Sequence, residues 1–327
     1  MQIITRSLVE RLLPMPACIA AVRGAMIATS RGEAELPIRQ FMPVPGDRGK
    51  MAIMPGAITD PDCFGIKLVC KYERPPGDPL GTHVGMVLLF DSVRGVPLAM
   101  IEGSSLTGIR TAAASGLATD LLARTDARKL AIVGSGEQAM RHIAAMTAVR
   151  PIEHVAVWSR DPQRTRGFAK AAADRYQLAV EPAHSVGDAV AGADIICTTT
   201  SAKTPVLFGR DLEPGQHVNL VGSAIPTAAE VDAEAVRRAS YFVDYLPAAQ
   251  AAAGELLKAI DAGEVTIDHV RGEIGQVAAG VLEGRAAGDE ITIYKSLGIA
   301  AQDLAAAYEV WRRAAEVGLG HAIELMD

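Results

Sequence analysis

One glycine-rich turn constrains this chain more than any other feature. The run Lys129-Leu-Ala-Ile-Val133 is short and apolar, and it leads directly into Gly134-Ser135-Gly136-Glu137-Gln138-Ala139. Glu137–Val149 then carries helical spacing. A buried strand, a G-x-G-x-x-A turn and a helix in that order predict a dinucleotide site. Gly134 allows the tight turn, Gly136 lets the backbone approach a pyrophosphate, and Ala139 lets helix and strand pack closely. The phosphates then face unpaired N–H groups at the positive end of the helix. Gly134, Ser135, Gly136, Glu137 and Gln138 are therefore candidate cofactor contacts.

The flanking sequence has the same texture. His154–Trp158 reads as a second strand, Gln163–Tyr176 as a helix, and Ala193–Cys197 and His217–Val221 as further buried strands. Strand–helix alternation implies an α/β fold with a parallel, doubly wound Rossmann sheet. The section after Ile293 reads as helical, with the Rossmann units complete before it. At the end of the second strand, an Asp or Glu would bind the ribose 2′-hydroxyl of NAD. This chain has Trp158-Ser159-Arg160 there, and Ser159 with Arg160 suits a 2′-phosphate. The expectation is NADP(H) in preference to NAD(H), with NAD(H) still usable. Asp161 falls past the strand and reads as a helix cap before Pro162.

The first 120 residues differ. A helix is expected over Pro16–Thr29, followed by β-like runs at Lys50–Met54, Gly65–Lys71, Met86–Asp91 and Pro97–Glu102, spaced for an antiparallel sheet. Between them, Arg74-Pro-Pro-Gly-Asp-Pro forms a turn. The alanine-rich stretches Ala112–Ala118 and Ala248–Ala253 read as tightly packed helices. A net charge of −6 argues against a nucleic-acid partner. No apolar run reaches the roughly 20 residues of a membrane span. Arg6, Glu10 and Arg11 interrupt any secretory segment, so a cytoplasmic protein is expected. The four cysteines and seven histidines are dispersed, so no metal site is expected.

Three cations in apolar surroundings are candidates for holding an anionic substrate: Arg39 in Leu36-Pro-Ile-Arg-Gln, Lys67 in Phe64-Gly-Ile-Lys-Leu-Val, and Arg110 in Leu106-Thr-Gly-Ile-Arg-Thr-Ala. A lysine in a buried strand is costly unless it is paired or used. A carboxylate would satisfy these groups, and so would structural ion pairs.

These stretches also carry a family likeness. Pro37-Ile-Arg39, Met54-Pro55, Gly65-Ile-Lys67, Leu106-Thr-Gly-Ile-Arg-Thr111, Gly134-Ser-Gly-Glu-Gln138, His217-Val-Asn-Leu-Val-Gly222 and Thr292-Ile-Tyr-Lys-Ser296 resemble the ornithine cyclodeaminase/μ-crystallin family over essentially the whole chain. The resemblance implies a discontinuous α+β dimerisation and substrate domain (1–118 and 298–327), a Rossmann domain at 119–297, and a homodimer formed through the N-terminal sheets. It implies that Arg39, Lys67 and Arg110 hold a substrate carboxylate and polarise the reacting centre. It adds Thr82, His83, Arg110, Thr111, Thr200, Ser201, Val221 and Ser296 as cofactor contacts, Thr82 and His83 lying near the nicotinamide in μ-crystallin-like members.

The family contains cyclodeaminases, ketimine reductases and alanine dehydrogenases, and departures from their patterns choose among them. Cyclodeaminases carry an acidic residue where this chain has Ala224, a Glu where it has Ala52, and an Asp at the strand end held here by Ser159-Arg160. Without those carboxylates, loss of ammonia from ornithine lacks its acid–base partners. Trp-Ser-Arg is similar to the Trp-Asn-Arg of NADPH-dependent ketimine reductases. Many members also have Arg where this chain has Ala229, before Glu230. The expected activity is NAD(P)H-dependent reduction of a cyclic ketimine carboxylate to an L-amino acid, as in proline metabolism. Three alternatives stay open: reductive amination of a 2-oxo acid, cyclodeamination, and a ligand-binding protein that retains NADPH.

Overall fold

A computed structural model describes residues 1–75, 80 and 83–325. The chain divides into two compact units, Met1–Arg110 with Ile299–Asp327, and Thr111–Gly298. From the N-terminus run β1 (Gln2–Ile4), α1 (Arg6–Leu12), α2 (Met15–Ser30), β2 (Ala34–Glu35), β3 (Gln40–Val44), β4 (Gly49–Thr59), β5 (Asp62–Lys71), β6 (His83–Asp91), β7 (Pro97–Glu102) and α3 (Gly103–Leu122). The unit boundary falls inside α3. Then come β8 (Lys129–Val133), α4 (Glu137–Val149), β9 (His154–Trp158), α5 (Pro162–Tyr176), β10 (Ala179–Pro182), α6 (Val186–Val190), β11 (Ile195–Thr198) and β12 (His217–Leu220). They are followed by α7 (Ala233–Arg238), β13 (Ser240–Val243), α8 (Leu246–Ala252), α9 (Gly254–Asp261), β14 (Val270–Glu273), α10 (Ile274–Ala278) and β15 (Thr292–Lys295). Finally α11 (Ala300–Glu316) and β16 (His321–Ala322) rejoin the first unit.

In the first unit, the antiparallel strands β4, β5, β6 and β7 follow one another through the sheet. Their alternation puts one set of side chains on a covered face. α2 begins with a proline in its first turn, as the sequence suggests, and buries Cys18, Ile19, Val22, Ala25, Met26 and Thr29 along one stripe. It packs beside α11, and α11 also lies against β4, β5 and β6. Small side chains at Ala300, Ala301, Ala305, Ala306 and Ala307, all buried, let α11 lie close to its neighbours. Part of the turn after Arg74 lies outside the described residues.

The second unit is a parallel sheet in the order β10-β9-β8-β11-β12-β15-β13-β14. The first six strands reproduce the doubly wound order, with the direction of winding reversing between β8 and β11. The helical reading after Ile293 is corrected here. Thr292–Lys295 is a fully buried strand between β12 and β13, and helix begins only at Ala300. A four-residue strand buried on both faces shows no alternation, so periodicity alone could not separate it from a helix start. Among the described residues, no single helix is long and apolar enough to cross a membrane.

Candidate active site

The three cations singled out in the sequence belong to the first unit. Lys67 lies in the middle of β5, opposite Met54 on β4 and Val87 on β6, and only 3% of it is exposed. Arg110 lies on α3 and is equally buried, at 4%. One carboxylate joins them. Asp303, in the first turn of α11, stands 2.7 Å from Lys67 Nζ through Oδ2, and its Oδ1 accepts from Arg110 Nε at 2.7 Å. The other arm of Arg110 donates to Gln302 Oε1 at 2.9 Å. Neither Asp303 nor Gln302 was a candidate in the sequence reading. In Ala300-Ala-Gln-Asp-Leu, Asp303 reads as an ordinary acidic residue near a helix start. The available signal was that two buried cations require a buried anion.

In this cluster two buried cations, Lys67 and Arg110, share one buried carboxylate. Arg39, just before β3, lies near enough to act on Lys67 as a further cation. Burial first, and then Arg110, lowers the Lys67 pKa from 10.5 to about 7, against the upward pull of Asp303. Burial pushes the Asp303 carboxyl up, but Arg110 and Lys67 outweigh it and hold it below its ordinary value. The arrangement suits an anion, and the lysine in it has its pKa near neutral. His83 opens β6 opposite Lys71, two alternations along β5 from Lys67 and therefore on the same face. Desolvation, then Lys71 and Lys67, lowers its pKa to about 4, so it is neutral at pH 7. Thr82 lies outside the described residues.

The dinucleotide candidates belong to the second unit, except His83 and Arg110. Gly134, Ser135 and Gly136 follow β8, and Ser159 and Arg160 follow β9. Thr200 and Ser201 come just after β11, Val221 follows β12, and Ser296 follows β15. These five strands are neighbours in the sheet and parallel, so the residues share its carboxyl edge. Thr111 is the first residue of this unit, on α3. The glycine turn is tied to the neighbouring strand end. Gly134 N–H donates to Trp158 O at 2.7 Å, and Ser135 Oγ donates to Ser159 Oγ at 3.0 Å. Gly134 has φ +131°, and a Cβ there would stand 2.6 Å from Thr199 Oγ1.

Gly136 behaves differently. A Cβ on it would meet no protein atom within 4 Å, and it caps α4 without a side-chain hydrogen bond. Its small size answers no need of the protein itself, and the open N–H groups of α4 fit a pyrophosphate. The buried oxygens Gln138 Oε1 and Ser296 Oγ have no hydrogen-bond partner within the protein. Buried polar groups are rarely left so, and a polar ligand would satisfy them. Arg160 is exposed beside Ser159, and Asp161 accepts from Gln163 and Arg164 N–H as the cap of α5. These residues fit a nicotinamide dinucleotide.

Known proteins share this fold. A Δ1-pyrroline-2-carboxylate reductase of Bacillus cereus is 37% identical over 289 residues, covering 88% of this chain and 89% of the relative. The solved Δ1-pyrroline-2-carboxylate reductase of Thermococcus litoralis, in complex with NADH and L-proline, superposes with a TM-score of 0.94 at 32% identity, covering 99% of this chain and 100% of that one. An archaeal alanine dehydrogenase dimer with bound NAD superposes with a TM-score of 0.92 at 28% identity, covering 100% and 99% of the two chains. The family model for ornithine cyclodeaminase and mu-crystallin matches residues 1–318. With its parallel dinucleotide-type sheet and its buried cation cluster, the chain belongs to the ornithine cyclodeaminase/mu-crystallin family.

Proposed function

We propose that this protein reduces a cyclic ketimine carboxylate, Δ1-pyrroline-2-carboxylate or its six-membered homologue Δ1-piperideine-2-carboxylate, to the L-amino acid. The observation that carries the reading is the pair of buried cations, Lys67 and Arg110, sharing the single carboxylate of Asp303, with Arg39 near enough to act on Lys67. The similarity to reductases of that name supports it. Arg110 and Arg39 clamp the carboxylate, Arg110 through the guanidinium nitrogen not engaged by Asp303 and Gln302. Lys67 in its ammonium form donates a hydrogen bond to the substrate carboxylate, and the cyclic imine arrives already protonated. A nicotinamide dinucleotide held by the glycine turn would supply the hydride, two electrons and one proton, that the imine carbon takes up. The C=N double bond becomes a single bond, and the nitrogen keeps its proton. The chain's own contribution is orientation and charge complementarity.

Purified protein supplied with Δ1-pyrroline-2-carboxylate and NADPH or NADH is expected to oxidise the reduced dinucleotide and form L-proline. Absence of turnover with both ring sizes would sink the reading. Lys67→Ala and Arg110→Ala are each expected to lower kcat/KM by about a hundredfold or more, and Lys67→Ala to leave dinucleotide affinity nearly unchanged. Full activity in both variants would remove the assigned site.

Two finer points belong to the same proposal. The cofactor is NADP(H) in preference to NAD(H), because Arg160 is exposed at the end of β9 with Ser159 beside the glycine turn. Arg160→Ala should weaken NADPH far more than NADH. The protein is also a homodimer built through the first unit, where Ile38, Phe41 and Met42 are exposed on or beside β3. The likeness to the alanine dehydrogenase favours one second reading, reductive amination of a 2-oxo acid. Ammonia-dependent oxidation of NADPH with pyruvate, faster than turnover of the cyclic imine, would establish it instead.

A further inference from the structure

The second unit holds another set of buried charges that substrate binding does not use. Glu230, Asp244, Glu255 and Lys295 are each at most 1% exposed. Glu230 is the hub. Its Oε1 accepts from the Thr200 N–H at 2.8 Å and the Thr200 hydroxyl at 2.7 Å. Its Oε2 accepts from the Thr198 hydroxyl and the Gly222 N–H, each at 2.7 Å. Four donated bonds suit a carboxylate, which is acceptor-only. The donors come from the ends of β11 and β12. The strand ends are so close that a Cβ on Gly222 would collide with Thr200 O.

The other groups stand behind Glu230. Glu255 Oε1 accepts from the Glu230 N–H at 3.1 Å. Lys295 Nζ lies 3.0 Å from Glu255 Oε2 and donates to Ser223 O at 2.5 Å. Asp244 Oδ2 accepts from the Leu297 and Gly298 N–H groups at 2.8 and 2.7 Å, just after Ser296. Among the fully buried groups of this edge, Glu230 and Glu255 share one lysine, Lys295; burial raises the Glu230 pKa, and Lys295 with the Thr200 and Thr198 hydroxyls pulls it back down. In a doubly wound sheet, the first three strands bind one mononucleotide and the next three bind the other. The glycine turn marks the half that holds β8. β11, β12 and β15 therefore form the nicotinamide half.

We infer that Glu230, backed by Glu255, sets both the position and the charge of the nicotinamide half: it ties the ends of β11 and β12 together and holds negative charge there, two carboxylates to one lysine, which favours the oxidised dinucleotide over the reduced one. The inference rests on the dinucleotide reading proposed above. Loss of a hydride leaves the nicotinamide ring cationic. A fixed negative charge in a low-dielectric setting stabilises that form selectively. A bound reduced dinucleotide thereby becomes a stronger hydride donor. Glu230 acts through the loops and the field, and is a positioning residue.

The test is titration of wild type, Glu230→Gln and Glu255→Gln with NADPH and NADP⁺, and with NADH and NAD⁺, followed by calorimetry. Each substitution removes one unit of negative charge. Glu255→Gln leaves the four bonds to the Glu230 oxygens in place, so it answers the question even where Glu230→Gln fails to fold. The expected result is that the ratio of Kd for the oxidised form to Kd for the reduced form rises about fivefold or more in each folded variant. A merely structural role would weaken both forms equally, and an unchanged ratio overturns the inference. Wild type that binds none of the four dinucleotides would overturn the cofactor reading, and this inference with it.

Discussion

Lys67 sits where the sheet leaves it almost no water, so its protonation depends on its neighbours. Arg110 and Arg39 lower its pKa, and Asp303 raises it. Lys71 and His83 stand further along the same face, and Glu309 lies on the same helix as Asp303. The ammonium form is the working form in the proposed reaction. Accordingly, kcat/KM should fall as pH rises through about 7. Asp303→Asn removes the contribution that supports the charge, so the fall should move to lower pH. An unshifted profile in that variant would show that Asp303 does not act on Lys67 in catalysis. The linkage to stability has a definite sign. The unfolded lysine keeps its proton up to about 10.5 and the folded one only up to about 7, so the contribution of Lys67 to stability increases with pH between those values. Gly136→Ala gives a second contrast at this scale. Nothing in the protein opposes the added methyl group. The melting temperature should stay nearly unchanged while dinucleotide affinity drops, and a large loss of stability would contradict the ligand-based reason for this glycine. The cations of the first site were legible because a charge inside an apolar run stands out locally. Their partner was not, because Asp303 becomes special only when a remote helix brings it against β5.

At the scale of elements, legibility followed local signals. β8, α4 and β9 are bounded by a glycine turn, an apolar run and a strand end followed by Asp161-Pro162, and the expected limits coincide with the observed ones. β13 and β14 were not anticipated. Val270–Glu273 is half-buried at the sheet edge and carries Arg271 and Gly272, so nothing in its composition demands a strand. β15 was misread for the opposite reason, being buried on both faces. The cap of α5 offers a prediction confined to its element. Asp161 accepts from Gln163 N–H at 2.9 Å and Arg164 N–H at 3.1 Å. Asp161→Ala should cost about 1 kcal/mol in denaturant unfolding. Its effect on NADPH affinity should be small beside that of Arg160→Ala, and equal losses would mean that the cap also orders the turn that holds the 2′-phosphate.

For the whole molecule, the exposed apolar side chains on or beside β3 bear on the proposed dimer. Phe41 and Met42 are each 46% exposed, and Ile38 is 49% exposed. Placing Glu at both 41 and 42 should convert a dimer to a monomer by light scattering if this strand lies in the interface. A double variant that stays dimeric would move the interface elsewhere.

The carboxylate between Lys67 and Arg110 also has a bearing on how the protein is made. Arg110 and Asp303 are 193 residues apart in the chain. At about 5–20 residues per second, a ribosome needs roughly ten to forty seconds to travel from one to the other. Throughout that interval the nascent first unit holds two cations whose only buried counter-charge among the described residues, Asp303, has not yet been synthesised, and closing the sheet over them would leave both without it. The second unit, an uninterrupted stretch of chain, emerges complete in the meantime. The first unit is therefore completed only after the second has been synthesised, and its cluster of Lys67, Arg110 and Asp303 can close only once α11 has been made.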